Sequence, residues 1–289
     1  MQNQEMPDNH ELEMAETQIL KLVTAAFPPL PPGAVVQSLP KPVLIPRLNP
    51  GNHNPFARAW VPELRQLAVT KEDFIGFIDN LNIINSPNTA IGVVDLIAFA
   101  IGFVPNEVAF GVSSVLGATA VLSAAAMAYN GTRKCLRLIN EHYFHPRKLH
   151  VKVINRKRIV RMFDLHKDDH LMEPLTESTL ELSVQDRNLK YLAQWSCELS
   201  FDVPEPSPQT TMLARMAAWQ VKRRTDRADE SAQRSRKRAW KKHNEGKKLK
   251  EGLGEKIRIK FLDWILVQNL DEWEAAKAEK LAKKGGKET

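Results

Sequence analysis

Thr89–Val104 (TAIGVVDLIAFAIGFV) and Val108–Tyr129 (VAFGVSSVLGATAVLSAAAMAY) are two long apolar runs separated by Pro105-Asn106-Glu107. The first carries one charged side chain, Asp95, and the second carries none. A proline-containing break between such runs predicts two helices joined by a tight turn. Small residues recur at four-residue spacing: Ala98 and Gly102, Ser113 and Gly117, then Ala120, Ala124 and Ala128. Rows of this kind let helix backbones approach closely. The second helix is expected to continue through Arg133, Lys134 and Arg137 to about His142, turning amphipathic at Leu136, Leu138 and Ile139. The chain should therefore be mainly α, centred on a small-residue helical hairpin over 89–142.

Two settings fit that hairpin. The second run is long enough for a bilayer, which takes about 20 apolar residues, and its basic end suits a cytoplasmic flank. Its Ala, Ser and Gly content and the shorter first run suit the centre of a soluble bundle. So does Asp95, which would cost roughly 2.5–3.5 kcal/mol near a membrane midplane. In either setting the Asp95 carboxyl needs a hydrogen-bond partner or stays protonated.

Before the hairpin, residues 1–53 are expected to be disordered or proline-rich. Thr17–Phe27 has the pattern of a short helix, and Pro28-Pro29-Leu30-Pro31-Pro32-Gly33 that of polyproline II. Thr70-Lys71-Glu72-Asp73 is a helix start, with Thr70 as cap and Val69 and Phe74 as a hydrophobic staple. Phe74, Phe77, Ile78, Leu81 and Ile84 supply the buried face. After the hairpin, Leu149–Ile154 alternates like a strand, and the basic, β-branched stretch 156–162 is expected to pair with it as a second strand, within 149–163. Helical turns over 175–193 complete a core spanning 54–200. Residues 201–210, with Pro204, Pro206 and Pro208, read as a linker. The remainder, 211–289, reads as a basic helical arm ending in an amphipathic helix over 255–283, with Ile259, Leu262, Leu266, Leu270 and Trp273 along one stripe.

The formal net charge of +7 over 289 residues conceals an asymmetry. Between Arg215 and Lys250 there are 14 Lys and Arg against 4 Asp and Glu, so the rest of the chain is slightly acidic. A near-neutral body with one basic arm favours anionic partners. Lys222, Arg223 and Arg224, then Arg234, Arg236, Lys237, Arg238, Lys241 and Lys242, are the expected anion-binding residues, the partner being an acidic protein or an anionic membrane surface. Nucleic acid is the less favoured partner, because Trp219 and Trp240 alone offer stacking there. The spacing of the two clusters also resembles a two-part nuclear import signal. The last helix is expected to pack on the protein's own core or, in coiled-coil fashion, on a second copy; the alternative is an anionic membrane interface with Trp264 and Trp273 at the headgroups.

Two cysteines, Cys135 and Cys197, cannot make a disulfide framework or a four-thiolate zinc site. The polar, acidic first 16 residues carry no signal-peptide pattern, so an intracellular, cytoplasmic location is expected, with membrane or nuclear association as variants. His142, His145 and His150 beside Glu141 are candidate metal ligands by residue type, although Pro146 ends a helix between them. His166 and His170 bracket Asp168 and Asp169, but H-E-x-x-H is absent. With no P-loop and no G-x-S-x-G elbow, no catalytic residue, metal or cofactor is expected.

The blocks Asn54–Trp60 (NPFARAW), Phe144–His150 (FHPRKLH) and Phe201–Pro204 (FDVP), the hairpin, and the helix at Trp219-Gln220 leading into a basic tail resemble a family of fungal, mainly ascomycete, proteins without an assigned activity. The resemblance covers about residues 54–225 and implies a fungal source. Some members of that family carry an FAD-related label; this chain has no G-x-G-x-x-G element after a strand, and the resemblance supplies no site residues. The sequence thus points to a non-enzymatic helical interaction protein. The alternatives are an enzyme or accessory of a fungal pathway that lacks a linear motif, and a nucleic-acid-associated protein.

Overall fold

The computed structural model describes residues 27–51, 54–84, 133, 136–204, 232–249 and 253–285. The hairpin expected over 89–129, with Asp95 inside it, lies outside the described residues, as do residues 1–26, most of the expected linker and the arm up to residue 231.

The described fold is mixed α and β, built on a three-stranded antiparallel sheet. Its strands are β1 (Val43–Pro46), β2 (Leu149–Asn155) and β3 (Asp263–Asn269), in the order β1-β3-β2. Val267 pairs with Val43 on one side and Val151 on the other, and Ile265 with Ile45 and Val153. Around the sheet lie α1 (Lys71–Ile84), α2 (Arg156–Met162), α3 (Val184–Leu192), α4 (232–244), α5 (Leu253–Lys260) and α6 (Leu270–Gly285).

Each face of the sheet covers its own core, because side chains alternate along a strand. Val43, Ile45, Leu149, Val151, Ile265 and Val267 face a cluster holding Phe74, Phe77, Ile78 and Leu81 of α1, together with Tyr143 and Phe144. Leu44, Ile154, Trp264 and Leu266 face a second cluster with Ile159 and Val160 of α2, Val184 and Leu192 of α3, and Ile259 of α5. A sheet covered on both faces demands a central strand that is apolar at consecutive positions, not alternating ones. Trp264-Ile265-Leu266-Val267 meets that demand, and all four are fully buried.

This arrangement corrects three expectations. The helix expected over 255–283 is a helix, a strand and a helix. Its apparent stripe at Ile259, Leu262, Leu266 and Leu270 arises because a continuous apolar run satisfies any period. Residues 156–162 are helical, not a second strand. Asn155 caps α2, its side-chain oxygen accepting from the Arg158 amide at 3.2 Å, a start signal hidden by the β-branched pair Ile159-Val160. Within the segment expected to be disordered or proline-rich, residues 43–46 form an edge strand. Pro46 sits at its end, a position where a missing amide hydrogen is tolerated. Phe27 and Leu39 are buried in the same core as α1.

Other local expectations hold. The Asp73 amide donates to Thr70 Oγ1 at 3.1 Å at the start of α1, and Val69 and Phe74 share one cluster. Leu149–Asn155 is a strand. Leu136, Leu138 and Ile139 are buried, ahead of a π-helical turn at Asn140–Phe144. Among the described residues, no helix is long and apolar enough to cross a membrane.

Candidate anion-binding site

Helix α4 carries the described half of the expected basic residues, and the fold divides them between two sides. At 3.6 residues per turn, Arg234, Lys237, Arg238, Lys241 and Lys242 fall within an arc of about 140°, with Arg236 on the opposite side. The five are exposed, whereas Arg236 is 3% exposed. Lys222, Arg223 and Arg224 lie outside the described residues.

Arg236 is the anchor of the inward side. Its Nε donates to the Leu180 carbonyl at 3.2 Å, and its Nη1 to Glu255 Oε1 on α5. The other Glu255 oxygen accepts from Arg187 Nη1 of α3 at 3.1 Å, and Arg187 Nε donates to the Glu173 carbonyl at 3.0 Å. One buried carboxylate thus joins three helices through two buried guanidiniums. Gln233 Nε2 and Lys237 Nζ meet the two carboxylate oxygens of Glu181 at 2.8 and 3.1 Å, and Ala232 packs on the second core. The expectation that Arg236 faces an external anion is therefore corrected: the guanidinium is already paired inside the fold.

The outward side is different in kind. Arg238, Lys241 and Lys242 form no ion pair among the described residues. Ser235 stands beside them, and no large apolar side chain shares their arc. Trp240 is half-buried on the inward side. The surface is a row of cations fixed on a helix whose far side is tied to the fold. It can hold several negative charges by Coulomb attraction, with affinity that falls as salt rises.

The expected histidine clusters separate likewise. His145 Nε2 and His150 Nδ1 are 3.1 Å apart, joined by a hydrogen bond whose donor depends on the tautomer. Their ring centroids are 5.4 Å apart and their planes 29°. That separation is the nitrogen distance plus little more than the two ring radii, so the rings lie end to end. One ring's N–H meets the other's lone pair, so the two nitrogens are spent on each other and do not converge on a metal at about 2.0–2.1 Å. Among the described residues, no group of three His, Cys, Asp or Glu side chains could hold a metal ion. His142 is exposed. His166 Nδ1 lies 3.9 Å from the Asp168 carboxylate at the surface and accepts from the Asp168 amide at 3.3 Å, and Asp169 accepts from the Tyr191 hydroxyl at 2.5 Å. Cys197 is buried and donates to the Lys41 carbonyl at 3.1 Å.

Trp264 and Trp273, placed at a membrane interface in the alternative reading of the last helix, both pack within the protein. Trp264 is in the second core, and Trp273 stacks on His150 at 3.9 Å and 16°. Burial pushes the His150 imidazole down to about 3, helped by the cations Lys152 and Lys277 and by His145. Sequence reasoning missed the Glu255 bridge and the Trp273 cover, since both join residues far apart in the chain. A lone Glu255 among lysines and arginines resembles an ordinary surface charge.

Comparison with protein-family models, with curated proteins and with solved structures gives no match.

Proposed function

We propose that the chain is a non-enzymatic interaction protein whose α4 docks an acidic segment of another protein. The observation that carries the reading is the division of one basic helix. Arg236 is consumed inside by Glu255, while Arg238, Lys241 and Lys242 stand outward and form no ion pair among the described residues. A docked helix presents its charges in a fixed row, so less side-chain and backbone freedom is lost on binding than for a free arm. The absence of large apolar groups from the row disfavours interfacial insertion into lipid, which requires a buried apolar face. The inward placement of Trp240 removes the stacking platform that single-stranded nucleic acid would use.

The test is a titration of a fluorescently labelled Asp/Glu-rich peptide with the full chain, alongside phosphatidylserine vesicles and duplex DNA. The reading expects saturable peptide binding at physiological salt, weakened at least tenfold by Arg238→Glu, Lys241→Glu and Lys242→Glu together. Binding of vesicles or DNA but not the peptide would overturn the choice of partner. Equal binding by the triple variant would overturn the site.

A further inference from the structure

Residues 28–32 (Pro-Pro-Leu-Pro-Pro) begin an exposed strap that leaves the first core at Phe27 and returns to it at Leu39. Both ends are fixed. The Phe27 ring lies 5.1 Å from the Tyr143 ring, and Arg147 Nη2 donates to the Pro28 carbonyl at 3.0 Å. At the far end the Asn269 side chain holds Leu39, accepting from its amide at 2.8 Å and donating to its carbonyl at 3.0 Å. Between these anchors the sequence sets the backbone. A proline ring holds φ at about −65°, and a residue preceding proline is kept extended. Phe27, Pro28, Leu30 and Pro31 all precede a proline, and the run is neither helix nor strand, which is the polyproline II form. Burial follows the three-residue turn of that form. Phe27 is buried and Leu30 half-buried on the face toward the body, while Pro28 and Pro31 on a second face, and Pro29 and Pro32 on the third, are exposed. The run ends in a turn: the Ala34 amide donates to the Pro31 carbonyl at 3.2 Å, with Pro32 and Gly33 at the centre and Gly33 at φ 76°. Proline followed by a left-handed glycine is the type II arrangement.

A stiff spacer joins two separate bodies, whereas this run starts and ends in one core. We infer that Pro28, Pro29, Pro31 and Pro32 are a docking ligand for a partner protein that reads polyproline II through a groove walled by Trp and Tyr rings. Polyproline II forms no internal hydrogen bonds, so its carbonyls are available to donors in such a groove. Prolines 28 and 31, and likewise 29 and 32, stand one turn apart and can fill successive slots. Anchoring at Phe27 and Leu39 has already removed freedom that a loose proline-rich peptide would lose on binding. Val35, 86% exposed just past the turn, extends the outward surface with an apolar side chain. No charged residue stands between Phe27 and Lys41. The groove therefore recognises ring shape and carbonyls without a salt bridge, and binding should resist salt, unlike binding at the cationic row of α4. The strap is independent of α4 and of the function proposed for it.

The test is a chemical-shift titration of a panel of 15N-labelled WW domains, whose grooves are built from Trp and Tyr, with the unlabelled full chain at low and at high salt. A free peptide of residues 27–34 is titrated beside it. The expected result is saturable binding of the full chain by at least one domain, tighter than that of the peptide and changed less than twofold by salt. Pro28→Ala with Pro31→Ala should weaken it at least tenfold. These rings are exposed, and the substitutions keep the carbonyls that Arg147 and Ala34 use, so the unfolding midpoint should stay within a few degrees of the wild type. Pro29→Ala alone, which touches neither anchor nor turn, should weaken binding several-fold. Lys241→Glu with Lys242→Glu should leave it unchanged. Binding of the peptide but not of the full chain would show that the strap is inaccessible on the body and overturn the inference. So would binding by no domain of the panel, or binding indifferent to both sets of proline variants.

Discussion

Arg236 and Glu255 meet inside the fold, guanidinium to carboxylate, at 3% and 5% exposure. Arg236 belongs by sequence to a run of cations that otherwise faces water. Its position on the wheel, opposite Arg238 and Lys241, turns it onto α5, where Glu255 also holds Arg187 at 3.1 Å. A basic helix that would otherwise be a solvated arm is thereby fastened to the body.

The bridge predicts an ordering of stabilities. Glu255→Ala removes the carboxylate that Arg236 and Arg187 share, a loss expected to cost about 3–5 kcal/mol. Arg236→Met leaves Arg187 and Glu255 as a matched pair and should cost clearly less. Urea unfolding of the two variants checks this, and equal losses would mean that Glu255 does not serve both guanidiniums.

Arg147 is almost fully buried, and among the described residues no carboxylate lies in hydrogen-bond reach of it. It donates to the carbonyls of Ala68, Tyr143 and Pro28 at 2.9, 3.0 and 3.0 Å, and its guanidinium lies 3.8 Å over the Tyr143 ring. Burial pushes its pKa down, against the pull of Tyr143 and Asp73. An ammonium cannot reproduce a planar fork, so Arg147→Lys should destabilise by about 3 kcal/mol by chemical denaturation. A loss under about 0.5 kcal/mol, the usual range for surface changes, would show that the three carbonyls have other partners.

His150 predicts an acid sensitivity. Its folded value of about 3 lies below the ordinary 6.5, so the unfolded chain binds the extra proton more readily. Stability from this group is fully present above about pH 6.5 and is lost as pH falls toward 3. The loss is on the order of 2 kcal/mol between pH 6 and 4.5. The groups facing the ring are His145, Lys152, Trp273 and Lys277, with Glu141 and Glu274 acting on His145. His150→Gln should flatten the pH dependence over this window. Trp273→Ala, which uncovers the ring, should move the His150 value upward in an NMR titration. An unchanged titration would show that the indole does not shield it.

These expectations indicate which parts of the fold the sequence exposes. Helix α1 is legible from Thr70 onward because its start signal, its staple and its apolar period agree. Strand β2 is legible from the alternation of Leu149 to Ile154. Strand β3 is not, because a strand buried on both faces loses its alternation, and Trp264 to Val267 suit a helix as well. Strand β1 is masked by flanking prolines at 42 and 46, which mark an edge strand only once its partner is known. The basic row at Arg238, Lys241 and Lys242 can be read from composition. The inward turn of Arg236 cannot, since it depends on Glu255, 19 residues later.

Thermal unfolding of the full chain with and without a saturating Asp/Glu-rich peptide addresses the division of α4 most directly. The wild type should gain stability from the peptide. Arg238→Glu, Lys241→Glu and Lys242→Glu together should unfold, without peptide, within a few degrees of the wild type and gain nothing when peptide is added. A peptide-induced rise preserved in that variant, or an outright loss of folding without peptide, would contradict an outward row of cations on a helix fastened from within.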